Sequence, residues 1–176
     1  MKTPLYGIKG NDICLMSTIE IYTDGSSLGN GKKNAMAGVG VYFGKDDPRN
    51  VSEKLLGSEQ TNNRAELTAI LSAIKILNKD FKKYQLYKSI IIYSDSKYSI
   101  DCVTKWYKTW EKNSWKTKNK KEVKNQDIIK DILEEIKFYE HNLQFKYIKA
   151  HTGLSDKHSI CNQYADELAV LGAKKN

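Results

Sequence analysis

Between residues 17 and 24 apolar and polar side chains alternate, with Ile19 and Ile21 set against Thr18 and Glu20, and the run reaches Asp24 before Gly25, Ser26 and Ser27. A period of two predicts a half-buried strand, and the Asp-Gly-Ser-Ser sequel predicts that it ends in a turn. After a loop of Gly, Asn and Lys, the small and β-branched run 35–44 (AMAGVGVYFG) predicts a second, antiparallel strand, and 51–57 a third. Thr61, Asn62 and Asn63 then supply capping side chains ahead of Ala65, Leu67, Ile70, Leu71, Ile74 and Leu77, whose spacing predicts a helix. The apolar run 88–94 reads as a buried central strand with Asp95 at its C-terminal end. Residues 98–110 and 126–139 read as helices around a lysine- and asparagine-rich loop, 143–148 as a last strand and 161–173 as a last helix. The predicted order is βββαβααβα, an α/β chain in which 18–176 form one domain behind a short extension, residues 1–17, that lacks periodicity.

Composition narrows the picture. A chain of 176 residues can bury one ordinary core and leaves little room for a second domain. Its formal charge of +8 points to a polyanionic partner. The charge is concentrated: residues 97–124 hold nine lysines against Asp101, Glu111 and Glu122, and so carry six of the eight net positive charges. Cys14, Cys102 and Cys161 are odd in number and widely spaced, which favours reduced structural thiols. Residues 1–16 lack the apolar core of a signal peptide, and no run of about 18 apolar residues is present to span a bilayer. The expectation is a soluble, intracellular monomer that does not enter membranes.

Four carboxylates occupy positions from which an α/β sheet could gather them at one edge. Asp24 and Asp95 stand at predicted strand ends, Glu66 in the first turn of a helix and Asp166 on the last helix. Taken singly, a strand-end Asp before Gly is a turn former and a first-turn Glu complements the helix dipole. Gathered together they repel unless cations hold them. With no Cys/His ligand set nearby, that arrangement calls for hard divalent metals bound through oxygen, and hence for a two-metal phosphodiesterase.

The strings around these acids, TDGSS at Asp24, TNNRAEL at Glu66, YSDS at Asp95 and YADELA at Asp166, resemble those of the type-1 ribonuclease H family over about residues 19–173. The resemblance implies a ribonuclease H-like fold, a mixed five-stranded sheet flanked by helices. It also implies endonucleolytic cutting of the RNA strand of RNA/DNA hybrids that leaves 5′-phosphate and 3′-hydroxyl ends. Asp24, Glu66, Asp95 and Asp166 would be the catalytic ligands of two Mg²⁺ ions, for which Mn²⁺ could substitute. His151, in IKAHTG, matches the family's catalytic histidine, which moves protons or assists product departure. Fourteen residues separate His151 from Asp166, more than in the common bacterial form, so His158 is a second candidate for that role. His141 reads as solvated.

All three tryptophans, Trp106, Trp110 and Trp115, fall in the lysine-rich segment. Amphipathic helices use Trp for packing, but aromatic faces interleaved with cations also suit a sugar-phosphate backbone. On the family resemblance, Trp106 and Trp110 line a DNA channel while Lys116 and its neighbours grip phosphates. Thr61 and Asn125 match members of a pocket for a DNA phosphate, although Glu59 stands where eukaryotic relatives often have arginine. Asn30, Asn62 and Asn63 match contacts to the hybrid's minor groove, where the 2′-hydroxyl marks RNA, and Gly25 and Ser26 let backbone approach the RNA strand. Two other readings remain open: a nuclease or integrase acting on DNA, and a non-catalytic hybrid- or duplex-RNA-binding module.

Overall fold

The structure, a computed structural model, describes residues 18–79, 89–139, 142–150 and 155–175. Five strands form one sheet in the order β3-β2-β1-β4-β5: β1 (Ile19–Leu28), β2 (Met36–Tyr42), β3 (Val51–Lys54), β4 (Ile90–Ser94) and β5 (Leu143–Tyr147). β1, β2 and β3 pair antiparallel, whereas β4 runs parallel to both β1 and β5, so the sheet is mixed. The helices are α1 (Asn62–Lys79), the composite α2, α3 (Gln126–Glu135, followed by a 3₁₀ turn, Ile136–Phe138) and α4 (Lys157–Ala173). α2 joins Lys97–Asp101 to Tyr107–Lys112 through a π turn at Cys102–Trp106. The predicted order βββαβααβα is the observed one. The predicted extension, residues 1–17, lies outside the described residues.

Alternation along the central strands divides the core into two layers. Ile21, Ile90 and Ile92 face α1, where Leu67, Ile70, Ile74 and Leu77 meet Ile129 and Ile132 of α3. Tyr22, Ile91 and Tyr93 face the other way, against Ala165 of α4. Ile70, Ile74 and Ile92 are fully buried, and truncating any one to Ala costs about 2–5 kcal/mol. β4, buried throughout, reads in the sequence as an unbroken apolar run because helices cover both its faces.

Several boundaries differ from the sequence reading, the third strand stopping at Lys54 rather than 57 among them, and two of the differences shape the site. β1 does not turn after Asp24: it continues to Leu28, because Gly25 to Leu28 pair with Val39 to Met36 of β2. Gly25 is there for space. A Cβ on it would lie 2.1 Å from the Glu66 backbone nitrogen, so its absence lets the first turn of α1 press onto β1. α4 begins four residues before the predicted start. Asp156 caps it, accepting from the backbone N–H groups of His158 and Ser159 at 3.0 and 3.1 Å. On the same helix, Ala165 and Ala169 sit against Gly40, where a Cβ would fall 2.1 Å from the Ala165 carbonyl oxygen.

Candidate metal and nucleic-acid site

The parallel register of β1 and β4 pairs Thr23 with Ser94, so Asp24 on β1 and Asp95 just past the end of β4 come next to each other at that edge of the sheet. The close approach of α1 over Gly25 adds Glu66. Ligand oxygens of Asp24, Glu66 and Asp95 all lie within 4.8 Å of one another. Asp166, half-buried on α4, stands beside Asp24, and both its charge and its hydrogen bond act on the Asp24 carboxyl. The four predicted acids are therefore neighbours, with Asp166 outside the tightest triangle.

Crowding and burial leave these groups reluctant to ionise. The Asp24 carboxyl is pushed up to about 8, first because burial penalises its charge and next because Asp95 opposes it. Glu66 is raised well above the usual carboxylate range by burial and then by Asp24 and Asp95. Glu66 Oε2 is also buried without any hydrogen-bond partner. A buried carboxylate oxygen with nothing to bind, among oxygen-only donors that repel one another, fits a site for hard divalent cations.

One neighbour was missed by sequence reasoning. Asn162, 3% exposed, donates from Nδ2 to Asp95 Oδ2 at 2.9 Å, while its Oδ1 is buried and unpartnered. The available signal was its place one helical turn before Asp166. His151 and His141 lie outside the described residues. The ring of His158, the second histidine candidate, sits against Tyr22 and Tyr93, its Nδ1 lying 2.9 Å from the Tyr22 hydroxyl.

The residues matched to nucleic-acid contacts fall into two groups. Next to the acids, Gly25 and half-buried Ser26 belong to β1, and exposed Asn30 reaches the start of α1, where its Oδ1 accepts from the Asn62 backbone N–H at 3.2 Å. Thr61 caps the same helix by accepting from Arg64 N–H at 3.3 Å, and Asn63 is exposed beside it. Asn125, in a left-handed conformation (φ 56°), opens α3, and its Nδ2 donates to the Tyr98 hydroxyl at 3.4 Å. Arg64 links these two helix starts. It forms a two-pronged pair with Asp127 at 3.1 and 2.6 Å, approaches Asn125 Oδ1 at 3.5 Å, and lies 3.8 Å from Glu59. Arg64 thus faces two carboxylates, Asp127 closely and Glu59 at a longer distance.

The second group is the arm formed by α2 and the loop after it. Trp106, 40% exposed, meets Trp110 edge-on at 5.8 Å, and Trp110 lies 6.3 Å from Trp115. Trp106, Thr109, Trp110, Asn113, Lys116 and Lys118 line an open cleft of about 440 Å³. The loop is ordered by a bridge between Lys116 and Glu122. Among the described residues, no helix is long and apolar enough to cross a membrane. Cys102 and Cys161 are unbonded thiols, the first buried and the second half-buried.

Sheet, helices and acids together define an α/β protein with a cluster of carboxylates, a candidate cation site, beside the β1–β4 pair. Residues 16–174 match the RNase H family model, and the chain belongs to that family. It is 45% identical over 158 residues to a ribonuclease H of Schizosaccharomyces pombe, a match that covers 88% of this chain and 53% of that protein. It is 37% identical to a ribonuclease H of Actinobacillus pleuropneumoniae over 90% of this chain and 92% of that one. The chain spans about half the length of the first of these relatives, and nearly all of the second. In fold it is similar, at a TM-score of 0.70 and 20% identity, to a foamy viral protease-reverse transcriptase solved with an RNA/DNA hybrid. That likeness covers 99% of this chain and 22% of the viral one.

Proposed function

We propose that this chain hydrolyses the RNA strand of RNA/DNA hybrids endonucleolytically, leaving 5′-phosphate and 3′-hydroxyl ends. The observation that carries this reading is the set of three carboxylates gathered within 4.8 Å, Asp24 and Glu66 buried and Asp95 half-buried, with Glu66 Oε2 unsatisfied, in a chain of the RNase H family. Asp24, Glu66, Asp95 and Asp166 hold two Mg²⁺ ions, and Mn²⁺ can replace them. When bound, such ions activate an attacking water and stabilise the leaving 3′-oxygen of an in-line displacement. Bound positive charge would favour the ionised carboxylates of Asp24 and Glu66 by offsetting the burial that raises both groups. Asn162 holds the Asp95 carboxylate in one orientation. His151 is assigned proton movement at the departing product.

Gly25, Ser26, Asn30, Asn62 and Asn63 meet the minor groove, where they read 2′-hydroxyls rather than bases. Thr61 and Asn125 hold a phosphate of the DNA strand, and Glu59, 3.8 Å from an Arg64 that Asp127 already engages, leaves that pocket less positive than an arginine there would. Trp106, Trp110 and Lys116 carry the rest of the DNA strand. Such contacts bring little base information, so cutting is sequence-tolerant.

The test is cleavage of one end-labelled RNA offered as single strand, RNA duplex and RNA/DNA hybrid, with Mg²⁺ or EDTA, beside the Asp95→Asn variant. Metal-dependent cutting of the hybrid alone, lost in the variant, is the expected result. Tight hybrid binding without cutting would make the chain a binding module, and cutting of DNA would make it a different nuclease.

A further inference from the structure

The first turn of α4 is fastened to the sheet by side chains that the carboxylate site does not use. His158 Nδ1 lies 2.9 Å from the Tyr22 hydroxyl, and its ring is 4.6 Å from that of Tyr93. Lys157 pairs with Glu20, whose other oxygen accepts from the Tyr93 hydroxyl at 3.1 Å. Tyr22 and Tyr93 are themselves partners in the parallel β1–β4 register and stack 4.9 Å apart.

These contacts share a geometry with the site. His158, Asn162 and Asp166 recur every four residues and so form one stripe along α4. Tyr22 precedes Asp24 by two residues on β1, so both project from the same side of that strand, and Tyr93 lies two residues before Asp95, which follows the end of β4. Along the stripe, His158 meets the two tyrosines, Asn162 meets Asp95, and Asp166 meets Asp24. Over β2 and β3 the helix has its own fastenings, where glycines at 38 and 40 admit backbone against backbone, Ser52 Oγ donates to the Leu168 carbonyl at 2.8 Å and Tyr42 stacks on Tyr164, whereas over β1 and β4 its first turn is held by the contacts of His158 and Lys157.

We propose that His158 is a positioning residue that fixes the register of α4 on β1 and β4, so that Asn162 and Asp166 arrive at Asp95 and Asp24. The kinetic part of this inference rests on the hydrolytic reading above. Either imidazole tautomer completes the bond, since the Tyr22 hydroxyl donates to a bare Nδ1 or accepts from Nδ1–H. The contribution of His158 is therefore geometric. Asparagine can place an amide where Nδ1 stands, and alanine cannot.

The experiment compares wild type, His158→Ala, His158→Asn and Ile132→Val, the last a core change in α3 that lowers stability away from α4. Mg²⁺ titration by calorimetry is expected to show severalfold weaker binding for His158→Ala only. On hybrid, His158→Ala is expected to lose on the order of ten- to hundredfold in kcat. KM is expected to stay within about twofold, with His158→Asn restoring kcat and the pH profile keeping its shape. Mg²⁺ affinity unchanged in His158→Ala, or a kcat loss that Asn fails to restore and that reshapes the pH profile, would overturn the proposal. If wild type cut no hybrid while the Mg²⁺ pattern held, the register lock would stand and the hydrolytic reading would fall.

Discussion

Asp24, Glu66, Asp95 and Asp166 come from β1, α1, the end of β4 and α4, whereas Trp106, Trp110, Trp115 and the lysines around them come from one continuous stretch of chain. The acidic centre is made by tertiary convergence. Its two most buried members are 5% and 3% exposed, a missing Cβ at Gly25 admits α1, and the cluster is held against its own repulsion. The basic arm is made by local sequence, with an exposed Trp106, exposed lysines and an open cleft. Chemistry needs atoms fixed to fractions of an ångström, and grip on a flexible polyanion does not. Substitutions in the centre should therefore change rate with little change in affinity, and substitutions in the arm the reverse.

The largest expected effect is in the centre. Glu66→Gln should lower the cleavage rate on the order of a thousandfold or more by removing a charged ligand and several kcal/mol of transition-state stabilisation. Hybrid affinity measured in EDTA should stay near that of wild type, and a parallel loss of affinity would blur the two regions into one. Gly25→Ala comes next. Its Cβ would collide with the α1 backbone, so thermal melts should report a loss of about 1–3 kcal/mol, and the rate should fall as Glu66 moves away from Asp24.

Effects in the arm are smaller and of the other kind. Trp106→Ala should weaken hybrid binding by about 1–3 kcal/mol if a base or sugar packs on its ring, with single-turnover cleavage at saturation nearly unchanged. Lys116→Gln should flatten the dependence of log affinity on log salt by about one charge, to be read from filter binding between low and moderate salt. Cleavage kinetics at saturating hybrid should not notice that change.

The pH dependence of stability separates the regions again. In the folded protein without metal, Asp24 holds its proton up to about 8, whereas the unfolded chain releases it near 3.8. The native state thus binds the extra proton between those values, so this group lowers stability as pH rises through that window and adds nothing below it. Melts in EDTA should show Asp24→Asn gaining over wild type at pH 8 and matching it near pH 3.5. Mg²⁺ should narrow the gap at pH 8 by stabilising wild type through binding.

The element order was legible because each core element carries a clear period: two in β1, near-helical in α1, an unbroken apolar run in β4. What escaped reading was set by partners distant in sequence. Asp-Gly-Ser-Ser has the chemistry of a turn, yet pairing with β2 and the press of α1 carry the strand on to Leu28. The start of α4 was hidden because its first turn, Lys-His-Ser-Ile, is mostly polar, although the Asp156 cap was there to be seen. The π turn in α2 left no local mark. Of the site, the acids stood out by their flanking strings. Asn162 did not, since a mid-helix asparagine gains meaning only when Asp95 is found beside it. Nor could spacing alone show that Arg64 answers both Glu59 and Asp127.

The most direct test of the division between centre and arm is to measure, on one labelled RNA/DNA hybrid, the single-turnover cleavage rate in Mg²⁺ and the dissociation constant in EDTA for wild type, Asp95→Asn and Trp106→Ala. A crossed pattern is expected, in which Asp95→Asn loses rate and keeps affinity while Trp106→Ala loses affinity and keeps rate. If both variants lost rate and affinity together, or if Asp95→Asn still cut the hybrid, the separation of a carboxylate centre from a basic aromatic arm would be contradicted.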